Sequence, residues 1–172
     1  MAVVAMAEAL KSLDIPFEVT GFHSTLSREL YAHAGARDDR FGRTQEMLDL
    51  HVFKRFDCPT LYAIEKIKSG HNNPDGECVV WAAKRLAERK EKRKILLVLS
   101  DGYPNTNDTD TTRLNQDLRL KVKNIIKSGI EVVGVGIATD AVRYFYPDFI
   151  VINELESLPK EAMKKLSKIV AK

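Results

Sequence analysis

Apolar and polar residues alternate along the chain in segments with helical spacing and shorter segments typical of strands. The helical spacing predicts helices over residues 2–13, 60–69, 76–90 and 112–128, with a final helix opening at Pro159. Strand-like runs occupy residues 17–22, 51–56, 94–100, 130–138 and 149–152. This alternation predicts an α/β fold with a mostly parallel sheet and helices on both faces.

Two of the predicted strands, 94–100 and 130–138, are almost continuously apolar, as expected for the middle of a parallel sheet. The stretch 23–48 has no clean period and is interpreted as a long surface loop. The GVG at 134–136 lies inside a strand and lacks the third glycine of a dinucleotide-binding motif. We therefore interpret these glycines as permitting close packing.

Composition fits one globular domain of 172 residues with 44% apolar and 30% charged residues. The net charge of only +3, with dispersed basic residues, argues against nucleic acid as a ligand. No apolar run reaches the length of a membrane span, so no membrane partner is expected. Cys58 and Cys78 form no CxxC motif, which favours free thiols and a cytoplasmic protein.

Two carboxylates stand where ligands bind in open α/β sheets, outside the carboxyl ends of the strands. Asp101 follows the apolar strand 94–100, and Asp75 lies in the turn NNPDG before a helix. If the two converge, they suit a hard cation such as Mg²⁺. Two simpler interpretations stay open: Asp75 as a helix N-cap, and Asp101 with Gly102 as turn chemistry.

Five stretches, in this order, carry a resemblance to a known family: GFHST (21–25), RFGRTQEMLDLHVFKRFD (40–57), NNPDGECVVWAAKRLAER (72–89), RKILLVLSDGYPN (93–105) and TDAVRYFY (139–146). Together they resemble the von Willebrand factor A (VWA) domain of CobT, a subunit of aerobic cobaltochelatase. The resemblance implies a Rossmann-like VWA fold over residues 1–172. It also implies a non-catalytic adaptor in cobalamin or porphyrinoid biosynthesis, whose partners are an AAA+ ATPase subunit and a large porphyrinoid-binding chelatase subunit.

The same resemblance implies a metal-ion-dependent adhesion site (MIDAS) that holds Mg²⁺ and docks a partner. Asp101 takes the place of the third-loop ligand, and Asp75 that of the second-loop ligand. The residues expected to bind a partner are those around them: His23, Ser24, Thr25, Asn73, Gly102, Tyr103, Asp140 and Arg143.

One feature of the family is missing, because no D-x-S-x-S sequence occurs in the chain. In the family this loop follows a first strand, which would lie between the strands 17–22 and 94–100. We expect an N-terminally truncated domain in which two strand edges are left unpaired. A strand swapped in from another chain, or a sheet closed up with a changed strand order, are the alternatives. Without the serines, the chain alone is expected to hold no well-ordered Mg²⁺.

Two other functions remain open from the sequence. One is a VWA protein-interaction module, of phage or mobile-element origin, in an unrelated AAA+ complex. The other is an α/β enzyme that uses Asp101 as acid, base or nucleophile. The lack of a His or Lys at a matching strand end weighs against the enzyme.

Overall fold

Helices and strands alternate along the computed structural model, which describes residues 2–26, 46–68, 70–107 and 110–153. The elements are α1 (Ala2–Ser12), β1 (Val19–Leu26), β2 (Glu46–Lys54), α2 (Asp75–Ala87), β3 (Ile95–Ser100), α3 (Thr111–Lys127), β4 (Glu131–Ile137) and β5 (Asp148–Ile152). Most of the expected loop 23–48 and the helix expected from Pro159 lie outside the described residues. None of the described helices is long and apolar enough to cross a membrane.

The strands form two groups. β3, β4 and β5 make a parallel sheet in that order, and β1 pairs antiparallel with β2. No pairing joins β1 to β3 in the described part of the chain, so the alternative of a sheet that has closed up is wrong. β3 was expected in the middle of a sheet, yet it is an outer strand of its group, and five of its six residues are only half-buried.

Helices cover both faces of the parallel sheet, as the sequence predicts. On one face, Met6 of α1 packs against Val133 and Val135 of β4. On the other face, α2 and α3 contribute Val79, Ala83, Leu118, Val122 and Ile125 to a second cluster that includes Val98 and Val132. β4 is therefore buried from Val132 to Gly136, because both of its faces and both of its edges are covered.

The helix expected over residues 60–69 is wrong. Only one 3₁₀ turn, Ile64–Lys66, forms there, and Ile67 that follows is extended. Ile64 is the one residue of that turn to be buried, so too little apolar surface is available to stabilise a longer helix. β2 also begins at Glu46 instead of residue 51, because its early residues pair with the end of β1.

Gly134 in β4 allows Tyr146 to pack against the sheet, in line with the interpretation of the GVG sequence. A Cβ atom at this position would collide with the Tyr146 side chain, whereas one at Gly102 would meet nothing within 4 Å. We therefore expect Gly134→Ala to lower the free energy of unfolding by about 1–3 kcal/mol through overpacking. Urea denaturation measures this change. Gly102→Ala is the matched control, and equal effects of the two substitutions would contradict the packing argument.

Candidate functional site

The loop after β3 carries Asp101 at the carboxyl edge of the parallel sheet. Ser100 ends the strand, and its hydroxyl donates to the carbonyl of Gly102 at 3.0 Å. This local turn leaves the Asp101 side chain exposed, with no hydrogen bond to another described residue. The carboxylate is therefore available to a partner or a cation.

Asn73 ties this loop to the turn that precedes α2. Its N–H donates to the carbonyl of Asn105 at 3.0 Å and its carbonyl accepts from the Asn105 N–H at 3.2 Å. Its side-chain amide donates to the carbonyl of Tyr103 and to Oδ1 of Asp75, both at 3.1 Å. The two loops that carry Asp75 and Asp101 are thus held side by side, as the sequence argument anticipates.

Asp75 is the first residue of α2 and only 3% of it is exposed. Pro74 occupies the N-cap position with no side-chain cap, and the Asp75 carboxylate accepts from the Asn73 amide. The interpretation of Asp75 as a simple N-cap is therefore wrong. Burial raises the pKa of Asp75 to about 7; the Asn73 hydrogen bond lowers it and the nearby charge of Asp101 raises it.

Burial also raises the pKa of the Tyr146 phenol, and the charge of Asp75 adds to that shift, so the two groups lie within electrostatic reach of each other. The Tyr146 hydroxyl is buried and has no hydrogen-bond partner among the described residues. An ionised Asp75 carboxylate is therefore largely desolvated. The side-chain amide of Asn73 donates the one side-chain hydrogen bond that the described residues offer in place of water.

Glu46 is a buried carboxylate that no sequence pattern singles out. Its Oε2 accepts from the Ser24 hydroxyl at 2.5 Å, and its Oε1 accepts from the Asn72 side-chain amide at 2.5 Å and from the Asn107 N–H at 2.7 Å. It thereby links the end of β1, the turn before α2 and the loop after β3. Its only sequence signal is an acidic residue at the start of a strand, which is common.

The three residues of β1 that were expected to bind a partner differ in how deeply they are buried. Ser24 is fully buried and bound to Glu46, so it lies beneath the edge and not on its surface. His23 and Thr25 are half-buried, and both contact the Asp49 carboxylate of β2, at 3.3 Å in each case. These two side chains lie beside the edge, on the antiparallel pair.

Aromatic side chains extend the edge towards the 3₁₀ turn Ala141–Tyr144. Tyr103 is 47% exposed and stacks on Tyr144, which is 49% exposed, with ring centroids 6.1 Å apart. Asp140 and Arg143 are exposed and form an ion pair at 3.5 Å. The predicted residues Tyr103, Asp140 and Arg143 therefore share a continuous surface with Asp101, through the contact between the two tyrosines.

Comparison with protein families gives one match. The model of the family described as the cobalamin biosynthesis protein CobT VWA domain matches residues 1–172. The chain belongs to this family. No solved structure matches the chain.

As a member of the CobT VWA-domain family, the chain has the fold class that the sequence predicted, an α/β Rossmann-like fold. The family supports a CobT-like role in cobalamin biosynthesis and places the chain among relatives of a cobaltochelatase subunit. That residues 1–172 form one domain, and that the residues named above bind metal or partner, remain predictions.

The described residues do not make a complete Mg²⁺ site in this CobT VWA domain. Among the described residues, no group of three or more His, Cys, Asp and Glu side chains is arranged to hold a metal ion. Asp75 and Asp101 are two carboxylates, whereas Mg²⁺ requires near-octahedral coordination. The Ser100 hydroxyl, the nearest along the chain, is already bound to Gly102.

Proposed function

We propose that the chain is a CobT-like VWA adaptor of a cobalt chelatase driven by an AAA+ ATPase, and that it performs no chemistry itself. The family match over residues 1–172 is the observation that carries this proposal. Its partners are then the AAA+ subunit and a large porphyrinoid-binding subunit, in the cytoplasm. Co²⁺ is the cargo of the complex, and Mg²⁺ belongs to the complete form of the family's site.

The sheet edge offers what an adaptor needs for docking. Asp101 presents an exposed carboxylate on a loop that Asn73 holds by three contacts. Tyr103 and Tyr144 lie next to it, half-exposed and stacked, and aromatic side chains of this kind dominate binding energy at protein interfaces. A rigid loop with an acidic and an aromatic contact can transmit the movement of a motor subunit without closing around a substrate.

Asp101→Ala is expected to weaken association with the cognate AAA+ subunit by at least about tenfold, because an interface loses one central charged contact. Pull-down from purified components, with and without Mg²⁺, measures the association. Asp148→Ala is the matched control, since Asp148 is equally an exposed aspartate but lies at the start of β5, at the opposite edge of the sheet.

The proposal would be contradicted if neither of two proteins associates with the AAA+ subunit. The first is the chain as given, and the second is the same chain with a strand that ends in D-x-S-x-S fused ahead of Met1. Association with the AAA+ subunit but not with the large chelatase subunit would favour an interaction module in a different AAA+ complex. A turnover by the isolated chain that disappears in Asp101→Ala would favour an enzyme.

A further inference from the structure

Helix α3 carries a concentrated positive charge. It contains five basic residues and one acidic residue, a net charge of +4, whereas the whole chain has a net charge of only +3. Basic and acidic residues in the rest of the chain therefore balance to a net charge of −1. The positive charge of the protein is thus the charge of this one helix.

The helical period separates the inner face of α3 from its outer face. The residues that the helix buries against the sheet and α2 are Leu118, Val122 and Ile125. On the opposite side, the exposed residues that follow the same period are Arg113, Leu120, Lys123 and Lys127. These four residues are called the α3 stripe, and three of them are cations.

The cations of the α3 stripe differ from the arginines elsewhere in the described structure. Outside α3, every described arginine forms an ion pair with a carboxylate, and these residues are Arg55, Arg85, Arg89, Arg93 and Arg143. Lys121 of α3 is also paired, with Asp117. In the ranges that the structure describes, no carboxylate forms an ion pair with Arg113, Lys123 or Lys127. Their charges are therefore available to an anionic partner.

Apolar side chains lie among these cations. Leu120 is 58% exposed in the middle of the α3 stripe. Its neighbour Arg119 donates its Nε–H to the carbonyl of Tyr144 at 2.9 Å and lies over the Phe145 ring, 5.8 Å from the centroid. These contacts hold Tyr144, which is 49% exposed, beside the stripe. An apolar centre with a charged rim is the usual arrangement of a protein interface.

This arrangement distinguishes between the anionic partners that a basic helix could bind. A helix that lies on a membrane directs its apolar face to the lipid and its cations away from it. In α3 the apolar face is buried in the core, and Leu120 shares the outer face with the cations. Nucleic acid is bound through its phosphates, which gain nothing from a leucine between the cations. A polypeptide with carboxylates around an apolar side chain is complementary to both features.

The shape of the α3 stripe favours a helical partner. From Arg113 to Lys127 it extends over about 21 Å, at 1.5 Å per residue. An α-helix has no unpaired backbone edge along its side, so an extended segment would gain no main-chain hydrogen bonds there. A second helix satisfies its own backbone groups and packs its side chains along the stripe.

We propose that the outer face of α3 docks an acidic amphipathic helix of a partner protein, with an apolar side chain against Leu120 and Tyr144 and with carboxylates beside the cations of the α3 stripe. The proposal goes beyond the adaptor role, because it concerns a helix face and not the sheet edge, and it requires no chelatase. The face of a single helix buries little area, so the contact is expected to be transient and to weaken in salt.

Fluorescence anisotropy of labelled synthetic peptides, titrated with the 172-residue chain, tests this proposal. The probe is a helical peptide of about 15 residues, which matches the length of the stripe. It carries leucine at helical spacing on one face and glutamate at the positions beside that face, and we expect it to bind saturably. The same peptide with lysine in place of each glutamate is expected to bind at least about tenfold more weakly.

Charge reversal on the α3 stripe identifies the binding face. Lys123→Glu combined with Lys127→Glu should weaken binding of the acidic peptide by about tenfold or more, because two cations that face it change sign. Lys84→Glu combined with Lys90→Glu is the matched control. It changes the net charge of the protein equally at two exposed lysines outside α3, and should change binding by less than about twofold.

A second pair of variants tests the apolar centre. Leu120→Ser should weaken binding of the acidic peptide by about fivefold or more, because the buried leucine contact is lost. Leu13→Ser is the control, since Leu13 is 45% exposed and lies after the end of α1. Both substitutions are at exposed positions, so both variants are expected to fold.

Three results would overturn the proposal. The first is that the acidic peptide does not bind. The second is that it binds equally well to the variant at Lys123 and Lys127 and to the control at Lys84 and Lys90. The third comes from two further probes, vesicles that contain phosphatidylserine and a DNA duplex. If either binds and the α3 variant abolishes that binding, the stripe belongs to a membrane or to nucleic acid instead.

Discussion

Glu46→Ala is expected to lower the free energy of unfolding by about 3–5 kcal/mol, because it removes a buried carboxylate that accepts three hydrogen bonds. The fully buried Ser24 hydroxyl loses its acceptor, as do the Asn72 amide and the Asn107 N–H. Urea denaturation measures the total cost, and hydrogen exchange at the Asn107 amide shows whether the loop after β3 has come loose.

Glu46→Gln is the matched variant. Its carbonyl oxygen can still accept from Asn72 and Asn107, and the Ser24 hydroxyl can accept from the new amide instead of donating. We expect it to cost well under half of the alanine substitution. Equal losses for the two variants would mean that the charge of the side chain matters and not its volume or its hydrogen-bonding geometry, and unchanged stability of Glu46→Ala would contradict the linking role altogether.

The sequence predicted those parts of the fold that depend on local periodicity. The apolar faces of α2 and α3 and the continuous apolar runs of β3 and β4 gave the correct element types to within one or two residues at most boundaries. Gly129 ends α3 with a φ of +91°, a conformation that glycine adopts without strain. The Asp75 and Asp101 loops were also expected to lie side by side. This expectation follows from topology, because the turn before α2 and the loop after β3 lie at the same edge of the sheet.

The parts that depend on long-range contacts could not be predicted in this way. Glu46 is polar at the start of a strand, and only the antiparallel register with β1 shows that it lies under the edge, opposite Leu26 and beside Ser24. The expected helix over 60–69 fails for a similar reason, since Ile64 finds a buried site but its neighbours do not. Local propensity is a weak guide where tertiary contacts decide.

The candidate site is organised by its hydrogen bonds more than by its charges. Asn73 and Glu46 together fix the turn before α2, the end of β1 and the loop after β3. Asp101 is left exposed at the surface of this arrangement and Asp75 is buried within it. A carboxylate that is desolvated and faces another carboxylate is stable only when it carries a proton or meets a positive charge, and this property has a measurable consequence.

Asp75→Asn is expected to stabilise the protein increasingly between about pH 4 and pH 7, to its full extent above pH 7, and to leave it unchanged in stronger acid. The pKa of Asp75 is about 7 in the folded state, against an ordinary value of 3.8. Below about pH 4 both states hold the proton, so the favourable contribution is complete there. As the pH rises, the unfolded chain releases the proton first, so stability falls until the folded carboxyl ionises near pH 7 and then levels off.

The size of this loss follows from the shift, and is about 4 kcal/mol when the folded carboxyl is fully ionised. Asparagine cannot ionise and can still accept from Asn73 through its side-chain oxygen, so the variant avoids the loss. Urea denaturation of both proteins between pH 4 and pH 8.5 gives the difference curve, in which contributions of all other groups cancel. Asp148→Asn, at an exposed aspartate, is the control for removing a carboxylate from the surface.

A flat difference curve for Asp75→Asn itself would show that the Asp75 carboxyl is not desolvated in the folded protein, and would contradict the prediction. Mg²⁺ provides the second comparison. Two carboxylates with no third acidic, histidine or cysteine side chain arranged beside them in the described part of the chain are expected to bind it weakly. MgCl₂ at constant ionic strength should therefore leave the stability of the chain alone unchanged. A rise in stability with MgCl₂ above pH 7 that disappears in Asp75→Asn would contradict this, because only a cation held at Asp75 could replace the lost proton.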